Sequence, residues 1–224
     1  MEPVKFKKAK AELGPLREFM DFVNRQVGVY CDCLSSFRGN KVRIERQIPR
    51  VQRPAGRRVD QGRPVIVWAS LEDPTSPDII HHRIVRADEF IAANTEAGFN
   101  EQQVCRSIIV FMFAYWDEEV RPRIATIRGV RPNDIMIDEF GDLRILRKCI
   151  VHEQGHLPAS EHAKLKVLAK LCHPDADISF SHDEMHRLFV HVKQGIARLI
   201  LQYAGDMPGA PKASDIVGIA IQKP

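Results

Sequence analysis

An arginine and a histidine with only four residues between them, Arg147 and His152, lie in the helical pattern DLRILRKCIVHEQG at residues 142–155. A guanidinium can clamp a phosphate through paired hydrogen bonds. An imidazole, whose pKa lies near neutrality, can take up or deliver a proton. A metal-independent ribonuclease requires these two groups, because RNA carries its own nucleophile in the 2′-hydroxyl next to the scissile phosphate.

The spacing of this pair sets a geometric condition. Successive residues of a helix turn by about 100°, so five positions separate the two side chains by roughly 140°. Either the helix loosens near Gly155, or two copies of the chain meet around a twofold axis and share a cleft, which we favour. In the alternative interpretation, the two residues have no catalytic role. Arg147 then forms an ion pair with Glu139 or Asp142, and His152 lies at a solvated helix end.

Charged residues around the pair complete the predicted site. Some lie on the same helix, and others follow an apolar stretch in WDEEVRPRIA, residues 116–125. We expect the basic side chains to bind phosphate and one carboxylate to orient the catalytic pair, although such charges also pair with one another at helical spacing. The candidate phosphate-binding residues are Lys148, Arg144, Arg121 and Arg123, and the candidate orienting residues are Glu118 and Glu119.

The elements that must hold these residues are mostly helices. Apolar residues recur every three to four positions over most of the chain, which is typical of amphipathic helices. The run at 108–116 is apolar on all sides and predicts a central helix, which Pro122 should kink or interrupt. The fold class is therefore all-α, an antiparallel bundle of five or six helices. The predicted helices cover residues 10–37, 87–97, 101–127, 134–153, 159–171 and 183–203.

Residues 47–86 interrupt the helical pattern. Five prolines between residues 47 and 78 exclude a continuous helix. The β-branched segments 65–69 and 79–85 can pair as a short β-hairpin. We therefore predict a single helical domain over residues 1–224, with a core at about 87–204, a basic insertion at 38–86 and a loose tail at 205–224.

Positive charge is concentrated in residues 38–63. This segment holds nine lysines and arginines against two acidic residues, while the whole chain has a formal net charge of +4. Such a segment can be a solvated loop, an arm that binds RNA, or a surface that an acidic partner covers. Aromatic residues are sparse there, so a nucleic acid would be contacted through its backbone and not through its bases.

The five cysteines and the N-terminal sequence indicate the cellular compartment in which we expect the protein. No apolar run follows the N-terminal charges, and no stretch approaches the length of a membrane span. We expect a reduced, cytoplasmic protein without a membrane segment. The Cys and His pairs lack a second well-spaced ligand pair, so we expect neither a metal nor a cofactor.

The Arg-x4–6-His signature in a helical domain resembles the HEPN superfamily of ribonucleases. The segments WDEEVRPRIA and GDLRILRKCIVHEQG are similar to a prokaryotic branch tied to defence and toxin–antitoxin systems, and the resemblance covers about residues 101–203. It implies a homodimer that cleaves RNA without a metal, with Arg147 and His152 at the dimer cleft and an antitoxin or defence-system partner. The polar residue, usually Asn, that follows the arginine in this family is Lys148 here.

Two functions follow from the resemblance. The first is an endoribonuclease of a toxin or defence system that leaves a 2′,3′-cyclic phosphate and a 5′-hydroxyl. The second is a non-catalytic HEPN-like module that binds RNA or nucleotide, or docks a partner protein, and the departure at Lys148 favours it.

Overall fold

A computed structural model of the protein describes residues 4–51, 65–71, 79–205 and 209. Helices dominate, and the prediction of an all-α fold with a short hairpin insertion is confirmed. The helices are α1 (Val4–Val51), α2 (Ala87–Ala93), α3 (Phe99–Tyr115), α4 (Arg121–Arg128), α5 (Asp138–His152), α6 (Ala159–His162) and α7 (His182–Ala204). The strands are β1 (Val65–Leu71), β2 (Ile79–Arg86), β3 (His156–Leu157) and β4 (Ala176–Asp177).

The described chain forms two compact units. One contains Met1–Tyr30 and Val104–Pro224, and the other contains Cys31–Gln103, so that α1 contributes to both. The smaller unit has a cluster of buried residues with partly buried neighbours, contributed by α1, β2 and α2. The cluster comprises Ile44, Ala87 and Phe90, against which Ile48, Val85 and Ile91 pack.

Helix α1 is longer than the sequence predicted. It does not end at Gly39 and Asn40 but continues to Val51, so residues 38–51 are helical and do not begin an irregular insertion. A glycine inside a helix costs about 1 kcal/mol, and the burial of Ile44, which is only 7% exposed, offsets that cost. The rest of the basic segment, residues 52–64, lies outside the described residues.

The predicted hairpin is confirmed. Strands β1 and β2 are antiparallel, with Val65 opposite Arg86 and Leu71 opposite Ile79. The register shifts between Trp68 and Ala69, as it does at a β-bulge. A second small sheet pairs β3 with β4. Most of the predicted tail at 205–224 lies outside the described residues.

The helical path after α3 changes its hydrogen-bonding period at Trp116–Val120, which form a π-helix. Pro122 lies just beyond it, and its missing N–H and bulky ring disrupt α-helical bonding to the carbonyl four residues earlier. The predicted interruption at Pro122 is therefore confirmed. Helix α3 is less central than predicted, because Phe111 is 60% exposed while Ile109 and Met112 are fully buried.

An aromatic cluster packs α5 against α1 and the π-helical turn. The rings of Trp116 and Phe140 stack with their centroids 4.0 Å apart. Phe19 of α1 lies 5.9 Å from the first and 5.7 Å from the second. All three residues are buried. This packing fixes the orientation of α5 and therefore decides which of its residues point outward.

Helix α5 begins later than predicted. Residues Pro132–Asp134 form a separate 3-10 turn, and α5 starts at Asp138. Between them the chain is extended, which buries Ile135 and Ile137 and leaves Met136 76% exposed. This alternation has the period of two that is typical of a strand. Residues 135–137, which the sequence predicted to be helical, therefore form the segment that connects the 3-10 turn to α5.

The predicted helix at 159–171 is also wrong as a single element, because α6 and a 3-10 turn at Leu168–Leu171 replace it. The carboxylate of Asp142, which is 1% exposed, accepts hydrogen bonds from the backbone N–H groups of Lys166, Val167 and Leu168 at 2.7–3.0 Å. Those donors would otherwise close a helical turn. In contrast, α7 begins as predicted behind Ser181, which forms a capping box with Glu184.

The described residues contain neither a membrane-spanning helix nor a cluster of metal-ligating side chains. None of their helices combines the length and the apolar character that crossing a membrane needs. No group of three His, Cys, Asp or Glu side chains among them is placed to hold a metal ion.

Candidate functional site

Helix α5 is regular up to His152, its last residue. Only beyond it does the backbone turn, with positive φ angles at Gln154 (55°) and Gly155 (90°). The helix therefore does not loosen between Arg147 and His152, and in one chain the two side chains remain roughly 140° apart. The first of the two geometries considered, a helix that loosens between the two residues, is therefore absent from the structure.

The outward face of α5 is basic. Buried residues, from Phe140 to Cys149, occupy the inward side. The outward face consists of Arg144, Arg147, Lys148, Val151 and His152, of which all but the half-buried Arg147 are exposed. Val151 is 48% exposed. It lies between the arginine and the histidine in projection, about 40° from one and 100° from the other.

Neither of the acidic partners proposed for Arg147 binds it. Glu139 is buried on the inward side and forms an ion pair with Arg198 of α7. Asp142 is occupied by the backbone N–H groups before the 3-10 turn. Within the described ranges, neither Arg147 nor His152 has a hydrogen-bond or ion-pair partner. The pairing that would have made Arg147 purely structural is therefore absent from the described chain.

Lys148 has a carboxylate partner on α6. Its ammonium lies 3.0 Å from Glu161, which also accepts a hydrogen bond from Lys164 at 2.8 Å. The two lysines hold the pKa of the Glu161 carboxyl below its usual value, with the Lys164 hydrogen bond as the largest cause. The same carboxylate raises the pKa of Lys148. The side chain of Lys148 is 53% exposed, whereas that of Glu161 is only 14% exposed.

The predicted site residues of the WDEEVRPRIA segment have other partners. Arg121 bonds the carboxylate of Asp117 at 2.7 Å and the carbonyl of Pro132 at 2.8 Å. Arg123 binds Glu18 of α1 through two hydrogen bonds, of 2.5 and 3.0 Å, which lower the pKa of that carboxyl. Across the described part of the chain, no hydrogen bond or ion pair links these arginines to the pair on α5.

The remaining predicted residues of that segment, Glu118 and Glu119, are exposed on the π-helical turn. Their neighbour Asp117, which the sequence analysis did not select, is the carboxylate that bonds Arg121. The spacing of four between Asp117 and Arg121 was the available signal, since opposite charges at this spacing pair on a helix.

A compact turn fixes the end of α5. The guanidinium of Arg106 covers Gly155 so closely that a Cβ on this glycine would lie 2.7 Å from it. Arg106 donates from Nε to the carbonyl of Ile178 at 2.9 Å. The N–H of Ile178 in turn donates to the carbonyl of Gly155 at 2.7 Å. These bonds tie the residues after His152 to the segment that contains β4.

The turn carries a second imidazole that the sequence analysis missed. Nδ1 of His156 lies 3.8 Å from Oδ1 of Asp177, and Arg106 approaches the other carboxylate oxygen at 4.0 Å. Both distances permit electrostatic attraction but are too long for hydrogen bonds. His156 is 49% exposed, and its position four residues after His152 was its only signal in the sequence.

Substituting alanine for two glycines of this region should change stability in opposite directions. We expect Gly155→Ala to destabilise the protein by roughly 2–3 kcal/mol, because its φ of 90° is unfavourable for alanine and its Cβ would contact Arg106. We expect Gly141→Ala to stabilise it by about 0.5–1 kcal/mol, since Gly141 is helical with open space around it. Urea denaturation followed by circular dichroism measures both, and equal effects would contradict this account of the turn.

Together, fold and site define an all-α protein with an arginine and a histidine on the basic outward face of one helix. Comparison of the chain with family models, with curated proteins and with solved structures finds no match. The function is therefore inferred from the site itself.

Proposed function

We propose that the protein is a metal-independent endoribonuclease that acts as a homodimer and serves as a toxin or defence effector. One observation carries this proposal. On the outward face of α5, Arg147 and His152 lie on either side of the exposed Val151, and neither has a partner among the described residues. A guanidinium and an imidazole held by a rigid helix without internal partners are available to a ligand.

A twofold contact between α5 and its copy would complete the site. Such a contact would cover Val151, which is 48% exposed, and would bring the arginine of one protomer toward the histidine of the other. Such a dimer would contain two equivalent sites, each with the arginine of one protomer and the histidine of the other.

The proposed reaction uses the chemistry of RNA itself. One His152 imidazole accepts the proton of the 2′-hydroxyl as O2′ attacks the phosphorus. The bond from phosphorus to O5′ breaks, the leaving oxygen takes its proton from water, and the imidazolium releases its proton to the solvent. Arg147 binds the non-bridging oxygens and stabilises the additional negative charge of the transition state. The products are a 2′,3′-cyclic phosphate and a 5′-hydroxyl.

Other residues have supporting roles in this proposal. Arg144 is exposed on the same face and would bind a neighbouring phosphate, and Lys148 would do so after exchanging Glu161 for it. Roles in substrate binding for Arg121 and Arg123, and in orientation for Glu118 and Glu119, stay predictions. An antitoxin or other defence-system protein would be the partner that covers the basic face.

A second candidate is a non-catalytic module that binds RNA or nucleotide, or docks a partner protein. The pair between Lys148 and Glu161 favours it, because the carboxylate compensates the charge of the lysine that follows the arginine and so reduces the positive charge offered to the transition state. In that case His152 would be a contact residue and would take no part in proton transfer.

The test is cleavage of an end-labelled structured RNA in EDTA by the wild type, His152→Ala and His173→Ala. His173 is exposed and lies outside α5, so it controls for the loss of an imidazole. We expect the wild type and His173→Ala to leave cyclic phosphate ends, and His152→Ala to lose activity by about 10²–10⁴-fold while binding RNA as before. No cleavage by folded, dimeric wild type would overturn the enzymatic proposal and leave the binding module.

A further inference from the structure

The part of α1 in the smaller unit carries three arginines beside a surface concavity. Its volume is about 650 Å³. The described residues that line it are Arg38, Gly39, Val42, Arg43, Arg46 and Gln47. All of them lie on one side of a single helix, so the concavity is an open groove along α1.

Among the described residues, no acidic side chain neutralises these arginines. Arg38, Arg43 and Arg46 are all exposed. Arg43 donates to the amide oxygen of Asn40 at 3.3 Å, which leaves its charge uncompensated. In the part of the chain that the structure describes, no carboxylate forms an ion pair with any of the three. The groove therefore has a concentrated positive charge that is available to an external anion.

The spacing of the arginines suits a linear polyanion. Positions 38 and 46 are eight residues apart, about 12 Å along the helix axis, with Arg43 between them. One strand of a nucleic acid advances about 3.4 Å per phosphate in B-form geometry, so roughly three phosphates fit along this length. Gly39 adds no side chain, and the space beside it is open, so that a backbone can approach the helix.

We propose that this groove binds the phosphate backbone of a single-stranded nucleic acid. Arginine is suited to this role because its planar guanidinium offers paired donors to phosphate oxygens. None of the described lining residues is aromatic, so these residues would contact a nucleic acid through its phosphates and would not stack on its bases. This site is separate from the face of α5, and binding there requires no cleavage.

The described lining fits an acidic protein partner less well. Protein interfaces depend on large apolar or aromatic anchors in desolvated pockets. The groove offers Val42, which is 41% exposed, and otherwise polar groups and a glycine. An acidic protein therefore becomes an alternative outcome of the test.

A labelled single-stranded DNA oligonucleotide tests this proposal, because DNA has no 2′-hydroxyl and cannot be cleaved by the proposed reaction. Binding is measured at several salt concentrations for the wild type, Arg46→Gln and the triple variant Arg38→Gln/Arg43→Gln/Arg46→Gln. Arg25→Gln is the matched control, since Arg25 is an exposed arginine of α1 outside the groove. Circular dichroism verifies that each variant is folded.

Each lost phosphate contact should reduce by about 0.7 the steepness with which log K, where K is the association constant, falls with the logarithm of the salt concentration. At 0.1 M salt this corresponds to about a fivefold loss of affinity. We therefore expect at least a tenfold loss and a slope change of about 2 for the triple variant. Arg25→Gln should bind as the wild type does. RNA of the same sequence, bound by the variants in the His152→Ala background, should show the same slope changes.

Three outcomes would overturn the proposal: no binding by the wild type, unchanged affinity and slope in the triple variant, or an equal loss in Arg25→Gln. Displacement of the DNA by polyglutamate of equal charge at equal concentration would point to an acidic protein partner instead. Because the DNA is not cleaved, a negative result here leaves the proposed ribonuclease activity untouched, and a failed cleavage assay leaves this site untouched.

Discussion

Mixing two inactive variants, Arg147→Ala and His152→Ala, is expected to restore about a quarter of the wild-type cleavage. On one regular helix, the two side chains diverge by roughly 140°, so a productive site would take its arginine from one protomer and its histidine from the other. Random exchange of subunits makes half of the dimers heterodimers. Each heterodimer has one site with both groups intact and one site with neither, which gives a quarter of the wild-type number of sites.

The mixing experiment distinguishes a shared site from a site within one chain. Each variant alone should be nearly inactive, because Arg147 stabilises the charge of the transition state and His152 transfers the proton. Mixing two preparations of the same variant is the control. If activity does not return although subunits exchange, as a mixed-label pull-down would show, the pair does not act across a dimer.

The double variant Arg147→Ala/His152→Ala mixed with wild type provides a further control. In its heterodimers, Arg147 and His152 are both present only on the wild-type protomer. If each site takes its arginine from one chain and its histidine from the other, both sites of the heterodimer lack one group and are inactive. We expect activity from the remaining wild-type homodimers only, about a quarter of that of the undiluted enzyme in an equal mixture. A site within one chain would retain half.

The sequence predicted the helices best where a local signal sets the boundary. The capped start of α7 behind Ser181 and the interruption at Pro122 were both correct, because capping and proline geometry act locally. The extension of α1 beyond Gly39 could not be predicted in this way. It depends on the burial of Ile44 against α2, a contact that is distant in the sequence.

The predictions for two elements near the site were wrong for the same reason, because contacts between residues that are distant in the sequence determine their structure. The segment before α5 is extended because Ile135 and Ile137 are buried on one side. The helix predicted at 159–171 is divided because the carboxylate of Asp142, more than twenty residues earlier, binds its N–H groups. Local propensity favoured helix in both cases, and long-range contacts overrode it.

The sequence indicated which types of residue form the candidate site, but not the contacts that hold the surrounding elements in place. The apolar repeat was enough to place Arg147 and His152 on one helix, although it placed Arg147 within the apolar stripe and not on the outward face. The sequence could not indicate that Arg198 would bind Glu139. It also gave no sign that Arg106 would cover Gly155, since these contacts join elements that are far apart along the chain.

The second large effect concerns a buried ion pair that holds three helices together. Glu12 of α1 is fully buried and accepts hydrogen bonds from Arg128 of α4 at 2.7 and 2.8 Å. The same guanidinium donates to the carbonyl of Leu199 in α7 at 3.1 Å and lies 4.3 Å from the centre of the Tyr203 ring. Nε and Nη2 of Arg128 thus donate to partners on two other helices.

We expect Arg128→Ala to destabilise the protein by about 3–5 kcal/mol, because it leaves the Glu12 carboxylate buried without a counter-ion. Arg123→Ala is the matched control and should have a much smaller effect, since its partner Glu18 is 52% exposed and can be solvated. Denaturant unfolding measures both free energies. A loss for Arg128→Ala no greater than that for Arg123→Ala would show that water reaches Glu12.

The double variant Glu12→Leu/Arg128→Met separates the cost of an unpaired charge from the loss of packing. Replacing both members of a buried pair by apolar side chains of similar volume is often neutral or stabilising. We therefore expect the double variant to be more stable than Arg128→Ala by at least about 2 kcal/mol. If it is as unstable as the single variant, the bonds from Arg128 to α7 hold the helices together, and the charge of Glu12 is secondary.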